Sequence, residues 1–250
     1  MEPLPNPVPV STAGASAAPR SVDAGRGLAW WSEAWAMFMA NPAMWIVLCI
    51  VLLVGFVVVG LIPLIGSLAV ALISPVMAGS LMLAARKAQA GGKLEISDLF
   101  VCFNGKHLGS LMVLGGIVLA ATILFGLVVG VLGVGTVAGL AAAGGKGAGA
   151  MAAVGVGLLG TLVALLFGMA LALSMWFAPA LVVFRDMPPV DALKLSVAAT
   201  LKNLVAMLLY GVVYLVAAFV ASIPLGLGWI LLLPVTILTI YISYRDIFGD

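Results

Sequence analysis

Charge is scarce in this 250-residue chain: only 8% of residues are Asp, Glu, Lys or Arg, and a single histidine accompanies them. Soluble domains carry about 25% charged residues, so a globule with 64% hydrophobic residues could not cover itself with polar groups. Lipid is therefore the expected solvent for most of the surface. One histidine excludes HExxH metal chemistry, which needs two. It also leaves His107, beside Ser110, as the sole partner for any intramembrane serine nucleophile, and an interfacial polar role suits it better. Two dispersed cysteines, Cys49 and Cys102, give neither a disulfide framework nor a metal site. A net charge of +2 without a basic patch gives no reason to expect nucleic acid, and no motif requires a cofactor. The inner-loop carboxylates Glu95, Asp98, Asp186 and Asp191 lie near bases, as helix-start and ion-pair residues do. The chain reads as a membrane protein that is not an enzyme.

Long uncharged runs dominate what is present: 34–85, 108–145, 147–184 and 203–244. About 20 helical residues cross a ~30 Å hydrocarbon core. The first run, broken at LIPLIG (61–66), and the last, broken at Pro224–Gly228, hold two spans each, because proline lacks an N–H and disfavours helix in the residue before it. The expectation is an all-α bundle over 27–250, with six spans near 43–62, 66–86, 108–132, 158–184, 204–223 and 227–244. Residues 1–26, rich in proline and small residues, read as a disordered tail. With both termini in the cytoplasm, ten of the eleven Lys and Arg fall inside and only Lys146 outside, as the positive-inside rule requires. The glycine-rich stretch 133–157 reads as a flexible outer linker, leaving Gly126–Gly130 as the credible small-residue packing face.

Short segments with helical apolar spacing precede each pair of spans: Leu28, Trp31, Trp35 and Phe38; Leu99, Phe100 and Phe103; Val190, Leu193, Val197 and Leu201. Such stripes predict amphipathic helices lying in the inner interface, or packed on the bundle's floor. With matched spacings from Pro75 to Arg86 and Pro234 to Arg245, and the echo of FRD (184–186) in YRD (244–246), they suggest three parallel pseudo-repeats of short helix plus hairpin. The prolines Pro75, Pro179 and Pro234 could line a central cavity with Ser74, Ser80, Ser174, Thr236 and Thr239, although packing alone also explains them. Arg86, Lys87, Arg185 and Arg245 are placed to meet anionic headgroups at the inner face. Trp30, Trp31, Trp35, Trp45, Tyr241 and Tyr244 fit the headgroup layer. The bilayer is the expected partner, and the expected role is lipid organisation, membrane assembly or scaffolding; the alternative is a transporter or channel for a neutral or lipidic solute.

The stretches GRGLAWWSEAWAMFMANPAMWI (25–46), LISPVMAGSLML (72–83), WFAPALVVF (176–184) and YISYRDIF (241–248) resemble a family of uncharacterised proteobacterial multi-pass membrane proteins catalogued after a Burkholderia locus. A looser likeness links the chain to the six-helix membrane domain of some glycerophosphodiester phosphodiesterases, whose catalytic barrel is missing here. The resemblance implies a bacterial inner-membrane location and supplies no activity.

Overall fold

Apolar runs of this length form helix because each backbone N–H and C=O must be satisfied within the segment when lipid surrounds it. A computed structural model describes residues 18–63 and 65–249. Its helices are α1 (Arg26–Ala40), α2 (Pro42–Gly60), α3 (Ile65–Gln89), the 3₁₀ segment η1 (Ile96–Phe103), α4 (Leu108–Ala142), α5 (Gly147–Arg185), α6 (Pro189–Lys202), α7 (Leu204–Ser222) and α8 (Trp229–Phe248). The protein is an all-α membrane bundle, and α2, α3, α4, α5, α7 and α8 are long and apolar enough to cross a bilayer.

Both expected breaks are hairpin tips. Gly66 packs directly on the Val59 carbonyl, where a Cβ would clash, so α2 and α3 close tightly. At the second tip Leu225 and Gly226 take left-handed φ of 53° and 83°, and Gly228 rests against Ala221.

The middle hairpin departs from expectation. No flexible linker occupies 133–157; α4 and α5 continue to a four-residue turn at 143–146. Their 35 and 39 residues span ~52 and ~58 Å at 1.5 Å per residue, far beyond the ~30 Å a bilayer core needs. Glycine is tolerated because the two helices support one another. Gly139 faces Ala153, Gly157 faces Thr136, and Phe125 stacks on Phe167 at 3.9 Å. Gly126 and Gly130 face open space, so they are not the packing face.

The second helix of each hairpin turns inward. Val76, Leu81 and Met82 of α3, Phe177 and Leu181 of α5, and Leu238 and Tyr244 of α8 share one buried cluster. Each short helix docks on a hairpin that is not its own: α1 on α7–α8, η1 on α2–α3, and α6 on α4–α5.

The docked faces are not the bulky stripes. α1 buries Gly27, Trp30, Ala34 and Phe38, η1 buries Asp98, Leu99 and Cys102, and α6 buries Ala192, Ser196, Ala199 and Thr200. Leu28, Trp35, Phe100, Val190 and Leu201 are exposed instead. Only Phe38 and Leu99 of the expected stripes are fully covered. The reason is the solvent: apolar side chains lose nothing by facing lipid, so small and hydrogen-bonding faces go to the protein interface. Gly27 meets the Ala206 carbonyl, and the Ser196 hydroxyl sits in a gap of the α5 ladder. It donates to the Leu173 carbonyl (2.7 Å) and accepts from the Phe177 N–H (3.0 Å).

The aromatic rim is likewise partly internal. Trp30, Trp45, Tyr241 and Tyr244 are buried in protein, with the Trp30 indole bonded to Asp246.

The expected disordered tail also differs where it can be followed. Residues 1–17 lie outside the described residues, but 19–22 are held. Arg20 N–H donates to the Ile247 carbonyl (2.7 Å), and Lys202 donates to the Pro19 carbonyl (2.7 Å). Asn203 clasps both sides of the strap. Its Oδ1 accepts from Val22 N–H (2.8 Å), and its Nδ2 donates to the carbonyls of Arg20 (2.9 Å) and Ala199 (3.0 Å).

Candidate functional site

None of the hydroxyls expected in a central cavity is turned away from its backbone. Ser74 donates to Ala71 O (3.2 Å), the carbonyl that Pro75 leaves without its helical donor. Ser174 donates to Ala170 O (2.6 Å) and Thr236 to Leu232 O (2.8 Å). Ser80 is fully buried. It donates to Val76 O and accepts from the Cys102 N–H. Thr239 donates to Thr236 O and touches the Tyr210 hydroxyl. These are the local bonds by which serine and threonine settle into helices. Pro75 and Pro234 are buried in the packing. Pro179 does line a cavity, an apolar one of about 240 Å³ between α3, α5 and α8 that is also walled by Ala78, Met82, Ala172 and Ile240.

The polar site lies one turn further along the same three helices, at the basic end of the bundle. An open cavity of about 460 Å³ is lined by Arg86 and Gln89 of α3, Phe184 of α5, and Tyr241, Tyr244 and Arg245 of α8. The helix register places them together, because α3 and α8 each carry an arginine in the last turn, eleven positions after a buried proline. The Arg86 guanidinium lies over the Phe184 ring at 4.6 Å, and that of Arg245 over Tyr241 at 6.0 Å. Stacking on a ring holds a guanidinium while leaving its N–H donors in the plane. Tyr241 donates to Gln89 Oε1 at 2.6 Å, which turns the amide's own donor group away from the tyrosine.

No carboxylate of the described residues lines this cavity. Among the described residues Asp98 pairs with Lys87 (2.8 Å), Asp186 with Lys106 (2.7 Å), and Asp246 with Arg26. The Lys106 ammonium holds the exposed Asp186 carboxyl below the usual carboxylate range, whereas burial pushes the Cys102 thiol up. The lining thus brings two guanidiniums and three aromatic rings around one space.

Of the four cations expected at headgroups, Arg86 and Arg245 line the cavity. Lys87 is turned to Asp98, where both carboxylate oxygens accept from its Nζ. Arg185 lies over Phe248 at 5.0 Å and donates to that residue's carbonyl. Gln89, Tyr241 and Tyr244 were not among the expected site residues. Position gave a signal that could have found them, since each lies within four residues, about one helical turn, of a flagged arginine.

A Burkholderia thailandensis protein named "Probable inner membrane protein" is 27% identical to this chain over 254 residues, covering 91% of this chain and 93% of its own length. No solved structure matches the chain. The profile of a domain of unknown function, DUF7847, matches residues 31–242, and the chain belongs to that family.

Proposed function

We propose that this protein is a non-enzymatic, multi-pass protein of the bacterial inner membrane. In this reading it organises lipid by holding anionic headgroups of the cytoplasmic leaflet at its basic end. The observation that carries this reading is the cavity walled by Arg86, Arg245, Gln89 and three aromatic rings at the basic end of the bundle. The similarity to an inner-membrane protein and the six apolar helices supply the setting. The ten-to-one division of basic residues favours both termini in the cytoplasm, where anionic lipids give the surface a negative potential. Docking of α1, η1 and α6, each on a different hairpin, supports reading the bundle as three parallel units around α3, α5 and α8. The transporter alternative is less favoured, because the hydroxyls that would line a path are spent on their own helices.

The test is the lipid retained when the protein is extracted with its surrounding bilayer, without detergent. Anionic phospholipid should be enriched over the bulk membrane, and the enrichment should fall in the R86Q/R245Q double variant. Equal composition in protein-bound and bulk lipid would sink the reading.

A further inference from the structure

Trp35 and Phe100 are 47% and 43% exposed although the short helices that carry them are docked on the bundle. Each stands beside an apolar groove. Trp31 and Trp35 of α1 adjoin one of about 610 Å³, which runs between α7 and α8 past Ala217, Val220, Leu231 and Leu232. Phe100 and Phe103 of η1 adjoin another of about 270 Å³, which runs between α2 and α3 past Val51, Gly55, Val70 and Ile73. Both grooves head the same way. α1 is tied through Trp30 to Asp246 in the last turn of α8, and η1 through Asp98 to Lys87 in the last turn of α3. From there each groove continues towards its hairpin tip, reaching Pro224 in one and Val59 in the other. The short helix therefore fills the part of the cleft nearer the basic end, and its aromatic pair is the floor of the part left open. In the third hairpin Phe125 and Phe167 stack on each other between the helices instead.

We infer that each groove holds one acyl chain of a lipid from the leaflet on the side of the hairpin tips, with the chain end against the aromatic floor. The grooves are continuous with the lipid-facing surface of the bundle, and their chemistry suits a chain. The smaller has no polar side chain among its described walls. In the larger, the Ser32 hydroxyl and the Trp31 indole are bonded to the carbonyls of Ala29 and Tyr210. Width separates a chain from a protein segment. An α-helix about 10 Å across fills ~420 Å³ in each turn, more than the whole 270 Å³ of the smaller groove. Depth fits one leaflet: Val51 to Val59 spans ~12 Å of helix, close to the ~15 Å half-thickness of a bilayer core. A chain gains no hydrophobic energy by leaving bulk lipid, which is equally apolar. Its preference comes from packing on a fixed wall, and is accordingly modest.

The experiment uses the full chain in phosphatidylcholine nanodiscs. The probe is a lysophosphatidylcholine whose palmitoyl chain ends in a photoactivated diazirine, and captured residues are located by peptide mass spectrometry. Capture at Trp31, Trp35, Phe100 and Phe103 should exceed capture at the exposed Leu127 and Leu165 of the third hairpin by at least about threefold. A decanoyl probe, too short to reach the floor, should shift capture towards Val59 and Val220. Gly55→Leu, at a position with open space around its Cβ, and Ala217→Leu each narrow one groove. Each should lower capture at its own floor to the level of the two leucines and leave the other floor unchanged. Capture that follows exposure alone in the parent, or floors unaffected by either narrowing variant, would overturn the inference. Capture at one floor only would overturn the other groove.

Discussion

Replacing Asn203 by alanine removes three hydrogen bonds at once, and their consequences can be separated. The side chain is 3% exposed. It accepts from Val22 N–H and donates to the carbonyls of Arg20 and Ala199. A net ~1 kcal/mol for each bond would total ~3 kcal/mol. Water can reach Arg20, which is exposed, so the expected cost of opening the strap falls to ~1–2 kcal/mol, a factor of about 5–30 in the open population. The remaining ties, Arg20 to Ile247 and Lys202 to Pro19, should keep the strap docked most of the time. Trypsin cleavage after Arg20, followed by intact mass in mild detergent, reports that opening when cleavage is slow relative to closing. Asn203→Ala should be cut about 5–30 times faster than the parent. Asn203→Asp, which keeps the acceptor for Val22 but loses both donors, should fall between them. A parent-like rate for the alanine variant would refute the clasp.

Two glycines offer a matched contrast. Gly27→Ala would drive a Cβ into the Ala206 carbonyl and should cost ~1–3 kcal/mol by overpacking, seen as a lower thermal midpoint. Gly126→Ala, facing open space, should leave the midpoint unchanged or raise it slightly, since alanine is favoured over glycine within a helix by ~0.5–1 kcal/mol. Cys102, whose thiol is buried and pushed to higher pKa, should react with maleimide at neutral pH far more slowly in the folded protein than after denaturation. The Asp186 carboxyl is depressed by Lys106, so whatever it contributes is present above its unfolded pKa and lost as pH falls through the folded value. Asp186→Asn should therefore alter stability only weakly at neutral pH, as exposed pairs do. Any difference between variant and parent should fade below about pH 4.

Span number and hairpin tips were legible because charge and the proline–glycine breaks act locally. Lys146 marks one turn and Pro63 and Pro224 the others, independent of packing. The continuation of α4 and α5 was not legible. Glycine reads as flexible in a single strand of sequence, and only pairing across the hairpin, Gly139 on Ala153 and Gly157 on Thr136, keeps those turns helical. The short helices were found, but their buried faces were assigned by the rule for water-facing proteins, and Leu28 and Leu201 look outward because lipid is there. In the candidate site, Arg86 and Arg245 were visible as basic residues at matched distances from prolines. The diversion of Lys87 to Asp98 and of Arg185 to Phe248 depends on which helix end lies alongside, and no spacing encodes that. The clasp of Asn203 was not legible either, because it needs the strap, which is 181 positions away in sequence.

Every reading of the basic end depends on which side of the membrane it faces. Single cysteines at Lys146 and Lys194, both exposed, in a protein lacking Cys49 and Cys102, can be exposed in intact cells to a membrane-impermeant maleimide. The account predicts labelling at 146 and none at 194 until the membrane is opened. Labelling at 194 with 146 protected, or labelling at both, would contradict it.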